Sequence, residues 1–423
     1  MARRKIKHLL IVGTLLYIAL IYFYVFVFTR EYVPQAGSAA DPAGFLSLQE
    51  RKLASEYGKI RNFLFLLELP LEVIVYFVLF FFGIAQNWLR RIETLTAKRG
   101  IQLFLFTLLL STTSFLAFLP IRWFRYIYAK QYGISVQSLA SWLKDRLLDF
   151  SLQTVLLFFV IVLLAILLEK SKRLWWFYTW CLSVPVAIGI VFIQPVIIDP
   201  LYHNFSPLED AELERKILQL ASESGIPAER VYEVEVANKT NAYNAYVNGI
   251  GANARIVLWD TTLKRLDEDE ILFITAHEIG HYVEKHVYLG LAGYLSSGLF
   301  LLFFTDRLLR FAWRRRWIVP PGNLTTIVFI LFSLSVLSHV IRPLELAVSR
   351  ELEWRADHYA MELTEDPEAG IRTFQKMTRA SLGEIQPPPL IKWLRYTHPT
   401  MAERITYLEG YRDGGSDTSS GER

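Results

Sequence analysis

The chain has 423 residues, of which 53% are hydrophobic, and its mean hydropathy is +0.28. That is too apolar for an ordinary soluble enzyme and places the chain among membrane proteins. The net charge of +4 is small and its basic residues sit in short loops rather than on one face, which excludes a nucleic-acid footprint.

Basic residues Arg3, Arg4, Lys5 and Lys7 precede an apolar run from Leu9 to Phe28. The run is too long for the apolar part of a signal peptide and no small-residue cleavage site closes it, so it predicts an anchor. Further spans are predicted at Asn62–Gln86, Ile101–Leu119, Phe150–Leu168 and Leu174–Ile198. The second contains Glu68 and Glu72, which either face a wet or protein-lined interior or lie near the interface. The fifth carries Pro185 and Pro195 and is expected to be kinked, with Trp175, Trp176, Tyr178 and Trp180 in an interfacial belt at its start. The single Cys181 lies in an apolar run, so an intrachain disulfide is excluded.

The stretch 201–286 is polar. It reads as an amphipathic helix over Glu209–Ser224, then short strands at Val231–Ala237, Asn244–Gly249 and Arg255–Asp260. Asp267 and Glu270 form a capping-box pattern ahead of an apolar helix containing His277-Glu278-Ile279-Gly280-His281. On a helix His277 and His281 are one turn apart and reach one zinc ion together. Glu278 then stands beside the open coordination position, where it takes a proton from water.

Catalytic zinc needs a third protein ligand. His286 lies five residues past His281, about 140° round the same helix, and is excluded as a ligand on that ground. Glu351 has the plain reading of an ion pair with Arg355, one turn on. Glu353 and Asp357 are like charges one turn apart, unfavourable on an ordinary helix unless a metal lies between them. Glu353 is therefore the expected ligand, and Asp357 the acceptor of a ligand histidine's outer N–H. Two more spans, Val287–Thr305 and Leu324–Ile341, form a hairpin between the two halves of this site, with five arginines, Arg307 to Arg316, at its turn.

His277-Glu278-Ile279-Gly280-His281, followed by Ser349-Arg350 with Glu353, Ala356 and Asp357, resembles the integral-membrane CAAX prenyl endopeptidases, a family of zinc metalloproteases. Asn244-Ala245-Tyr246-Val247-Asn248-Gly249 resembles that family's edge-strand motif, and His398-Pro399-Thr400 with Arg404 its C-terminal motif. Ile193-Gln194-Pro195 through Asp199-Pro200-Leu201 resembles the start of its catalytic part. The resemblance spans roughly residues 60–410. It implies that His398 and Arg404 contact substrate or stabilise the oxyanion, that Asn244 and Gly249 position substrate backbone, and that substrates end in a prenylated cysteine motif. On the residues alone, His398 also reads as the first-turn histidine of a helix, and Arg404 as half of a structural ion pair.

The expected architecture is mainly α: a polytopic protein of about seven transmembrane helices with a gluzincin-like α+β protease domain carrying a small sheet. Its expected parts are 1–200 with five spans, 201–286 with the motif helix, the hairpin 287–342, 343–410 with the third ligand, and a disordered tail 411–423. The expected activity is zinc metalloendopeptidase, with one zinc ion per chain and a peptide or protein substrate whose C-terminal end is lipidated. Quality control of membrane proteins is an alternative within proteolysis, and a non-catalytic seven-span receptor or transporter an alternative outside it. The chain is expected to be an integral multi-pass protein of the plasma, inner or endoplasmic reticulum membrane. Loop charges place the N-terminus in the cytoplasm and the metal on the other side, whereas the eukaryotic relatives imply a cytosol-facing site.

Overall fold

A computed structural model describes residues 2–29, 34–248, 255–317 and 324–414. Seven helices are long and apolar enough to cross a bilayer: Arg4–Phe28, Leu48–Phe81, Arg99–Gln131, Leu139–Lys170, Trp175–Tyr202, His286–Arg314 and Leu324–Thr364. Each overlaps one of the seven expected spans. Five of these helices precede the protease part, an odd number.

Several of these helices outrun the bilayer. Arg99–Gln131 has 33 residues, about 50 Å at 1.5 Å each, against a hydrocarbon core of about 30 Å. Leu139–Lys170 and Leu48–Phe81 are of similar length and grip the protease part. Asp145 binds Lys239 at 2.9 Å, Asp149 accepts from Tyr202 Oη at 2.6 Å, and Asn62 Nδ2 donates to Glu384 at 2.8 Å. Helix starts are fixed locally. Ser47 and Glu50 satisfy each other's backbone N–H in a capping box, and the Asp210 carboxylate caps Ala211–Glu223.

The protease part holds a four-stranded sheet: β1 (Phe205–Pro207), β2 (Val231–Val234), β3 (Ala245–Asn248) and β4 (Arg255–Trp259), in the order β1-β2-β4-β3. β2 and β4 run parallel, and β1 and β3 pair antiparallel at the two edges. β1 escapes a sequence reading because three residues show no period. The sheet and the helix Ala211–Glu223 close on the motif helix, Glu268–Val283, through Ile217, Val231, Ile256, Leu258 and Ile279. A separate core joins the spans through Phe106, Leu110, Ile161, Leu164, Trp175 and Ile327. Asp306 is fully buried at its rim, held by Arg310 at 2.7 Å and by Trp175 Nε1 at 2.9 Å.

The last span does not stop at Ile341. One helix of 41 residues, about 60 Å, runs from Leu324 to Thr364 through Pro343 and carries Glu353 and Asp357. The expected boundary at 342/343 therefore falls inside a helix. Residues 411–414 of the expected disordered tail finish the helix Met401–Arg412 and a turn, and the rest of the tail lies outside the described residues.

Candidate metal centre

The motif helix packs along the upper part of Leu324–Thr364. Gly280 makes this possible: a Cβ there would lie 3.3 Å from the Ala356 backbone and 3.1 Å from the Tyr359 Cβ. The approach brings three ligand atoms together. His277 Nε2 and His281 Nε2 are 3.2 Å apart, and Glu353 places Oε2 3.3 Å from the first and Oε1 3.4 Å from the second. Ligands about 2.0–2.2 Å from a tetrahedral metal stand about 3.3–3.5 Å from each other, so the triangle has the right size.

The outer hydrogen bonds fix which ring nitrogens face inward. His277 Nδ1 lies 2.9 Å from Asp357 Oδ1, so its N–H is used there and Nε2 presents a lone pair. His281 Nδ1 lies 2.8 Å from His286 Nδ1. If His281 donates in that contact, its Nε2 also presents a lone pair. Two lone pairs and a carboxylate then face one point, an arrangement that repels itself without a cation. Glu353 Oε2 is buried, has only the ring nitrogens of His277 and His398 beside it at 3.3 and 3.2 Å, and makes no hydrogen bond, so the donor set fits a metal.

His286 was excluded as a ligand by its angle on a continuous helix. The helix is not continuous. The motif helix ends at Val283, Lys285 adopts φ 58°, and a new helix starts at His286. The reversal folds the buried His286 ring back under His281, with ring centroids 4.9 Å apart. A non-glycine residue between two adjacent helices gives no sign of positive φ in the sequence.

Arg404 is buried. Its guanidinium forks onto Asp357 at 2.8 and 2.5 Å and stacks 3.9 Å over the Phe374 ring. The Nε and Nη2 edge of the guanidinium is thus spent on Asp357. Its positive charge offsets the burial of the Asp357 carboxylate. His398 does face the cleft. It is about half exposed, its Nδ1 is 2.8 Å from Thr397 Oγ1, and its Nε2 is 3.2 Å from Glu353 Oε2. Glu278 sits half-buried on the motif helix, and burial pushes its carboxyl up. That shift moves a carboxylate toward the range of a working general base.

Asn244 precedes the edge strand β3, which lies beside the motif helix and leaves its other edge without a strand partner among the described residues. The Asn244 backbone is pinned by Thr262, which accepts from its N–H at 2.9 Å and donates to its carbonyl at 2.8 Å. Gly249 lies outside the described residues. Glu351 is exposed and stands apart from the triangle.

Residues 207–412 match the model of peptidase family M48, and residues 29–204 match the CAAX prenyl protease N-terminal family, described as five membrane helices. An uncharacterized metalloprotease of Bacillus subtilis, YhfN, is 43% identical over 400 residues, covering 93% of this chain and 94% of its own. CAAX prenyl protease 1 of Saccharomyces cerevisiae is 27% identical over 321 residues, 71% of this chain and 70% of its own. The crystal structure of Ste24p from S. mikatae superposes with a TM-score of 0.79 at 23% identity, covering 94% of this chain and 96% of that one, which shows the shared fold.

Proposed function

We propose a substrate class and a division of labour for a chain that belongs to peptidase family M48 and is a membrane-embedded metalloendopeptidase. The metal is zinc, one per chain, held by His277, His281 and Glu353. The observation that carries this is the triangle of 3.2, 3.3 and 3.4 Å between two histidine nitrogens and a carboxylate. Zinc, when bound, supplies Lewis acidity to the scissile carbonyl and lowers the pKa of water.

The chain's own residues supply the rest. Glu278 takes the proton of the attacking water on its carboxylate and returns it to the leaving amine nitrogen. His398 Nε2, at the open side of Glu353, donates to the oxygen on which charge develops. Asp357 orients His277, Arg404 keeps Asp357 ionised, and His286 orients His281. β3, starting after Asn244, takes the substrate as an added strand, so backbone hydrogen bonds bind it with little demand on sequence.

The substrate is a flexible peptide segment near the bilayer with a lipidated C-terminal end. Two points support this. Relatives in Saccharomyces cerevisiae and Arabidopsis thaliana are a CAAX prenyl protease 1 and its homolog, and the motif helix runs into a span within three residues, Val283 to His286. The test is cleavage of paired peptides, one farnesylated at cysteine and one not, by the full-length protein in detergent. The farnesylated peptide should show the lower KM. Equal KM values would remove the lipid from the reading and leave the peptidase in place.

A further inference from the structure

The segment that leads into β3 takes its hydrogen bonds from the membrane part. Between β2 and β3 the chain has no regular element, only a turn in which the Lys239 and Thr240 N–H groups donate to the Val236 carbonyl at 2.8 and 3.0 Å. The remaining polar groups of 239–241 need partners, and they find them in residues 133–136, between the helices Arg99–Gln131 and Leu139–Lys170. Val136 N–H and Ser135 Oγ donate to the Lys239 carbonyl at 3.0 and 3.1 Å. Asn241 donates from its N–H to the Ile134 carbonyl at 3.0 Å and from Nδ2 to the Gly133 carbonyl at 2.8 Å. Past this joint, Thr261 Oγ1 donates to the Ala242 carbonyl at 2.7 Å and Thr262 holds the Asn244 backbone. The start of β3 is therefore strung between a membrane hairpin and the short helix Asp260–Arg265.

Lys239 locks the joint with charge. Its Nζ lies 2.9 Å from Asp145 Oδ2, on Leu139–Lys170, and donates to the Tyr202 carbonyl at 2.9 Å, where the fifth span ends. The two charged side chains are only 17% and 13% exposed, so this is not a screened surface pair. Gln137 Nε2 donates to the same carboxylate at 2.7 Å. One ammonium thus joins the fourth span, the fifth span and the chain six residues ahead of β3. The plain reading is a staple between two parts of the protein, like Tyr202 on Asp149. Its place argues for more. Among the described residues β3 pairs on one edge only, with β4 and over four residues. The position of its first residues then depends on what anchors the segment before them.

We propose that Lys239 is a positioning residue for the substrate strand: by holding Asp145 and the Tyr202 carbonyl it fixes the entry to β3 on the ends of the fourth and fifth spans, and so sets how an extended substrate lies against the metal. Its effect passes through the backbone of 240–244 and not through contact with the reacting atoms. This rests on the reading that β3 takes the substrate as an added strand. Freed from the joint, β3 is competent for only a fraction of the time. Binding weakens by the inverse of that fraction, while bond breaking in the bound complex is unchanged, so KM rises and kcat does not.

The test is the kinetics of the full-length protein in detergent on one flexible peptide. Lys239→Met should raise KM about ten-fold, the mark of a strand competent about a tenth of the time, with kcat within about two-fold of the parent and the zinc content unchanged. Asp145→Asn should raise KM in the same direction, and the double variant should show no more than the larger single effect, because both changes break one contact. Backbone hydrogen exchange of residues 242–248 should speed up in Lys239→Met. A mere staple gives a different pattern: a lower unfolding midpoint with the parent's KM, or zinc and kcat falling together. Either pattern overturns the proposal. Where Lys239→Met does not fold, the milder Asp145→Asn decides, and the parent's KM in that protein overturns the proposal. Failure of the strand reading shows separately. Peptides N-methylated at alternate backbone nitrogens, in either phase, would then be cut by the parent protein with the KM of the unmodified peptide, and the proposal would fall with that reading.

Discussion

Replacing Arg404 by leucine separates two roles that a sequence reading leaves equal. In the structure the guanidinium serves Asp357, which is 1% exposed and accepts from His277. Leucine keeps the apolar contact with Phe374 but leaves a buried carboxylate with one neutral donor. Removing one member of a buried pair costs about 3–5 kcal/mol. For a part the size of residues 207–412 that lowers the unfolding midpoint on the order of 10 °C. Asp357 can escape by taking up a proton, but then it no longer fixes the His277 tautomer, and metal affinity should fall about 10–100-fold. Thermal unfolding in detergent and metal titration with a competing chelator measure both. Asp357→Asn should rescue part of the stability when combined with Arg404→Leu, because the orphan charge is gone. An Arg404→Leu protein with unchanged midpoint and metal affinity but lost turnover would refute the reasoning and return Arg404 to the substrate.

His286→Ala should weaken metal binding about ten-fold, while His286→Asn, whose Oδ1 takes the place of Nδ1, should recover most of it, as read by the same titration. Asp260 is buried, and although burial opposes its charge, Lys264 and the backbone N–H groups of Val236 and Ala237 hold its carboxyl below the usual value. Its stabilisation is therefore present above about pH 4 and lost as pH falls through the lowered folded-state value. Unfolding midpoints of the parent and of Asp260→Asn should differ at pH 7 and converge below pH 4; a gap that stays constant with pH contradicts this. A cysteine at Asp413, with Cys181 replaced, should react with an impermeant maleimide from outside intact cells if the loop charges set the orientation. Labelling only after lysis reverses the topology. Residues Leu201–His286 joined to Pro343–Gly410 should show no activity, since the cut at Pro343 severs the helix Leu324–Thr364; an active fragment would make the spans a mere anchor.

The spans were legible because a bilayer demands long apolar runs, and the ligand set because zinc demands few residue types at helical spacing. What was not legible depended on breaks and on distant partners. The apolar run of the seventh span ends at Ile341, yet the helix continues through Pro343 to Thr364, since proline in a long helix is tolerated where neighbours hold it on both sides. Lys285 breaks a helix without glycine or proline, so His286 appeared on the wrong face. Arg404 pairs with a residue 47 positions away, and no local pattern marks such a pair.

The central claim is that His277, His281 and Glu353 hold a zinc ion which Glu278 uses without binding. Elemental analysis alongside peptide cleavage, on the full-length parent, Glu278→Gln and Glu353→Ala proteins, tests it most directly. The parent should carry one zinc per chain and cut peptide. Glu278→Gln should keep the zinc and lose the cleavage, and Glu353→Ala should lose both. Stoichiometric zinc in Glu353→Ala would contradict the ligand set, and cleavage by Glu278→Gln at the parent's rate would contradict the assignment of the base.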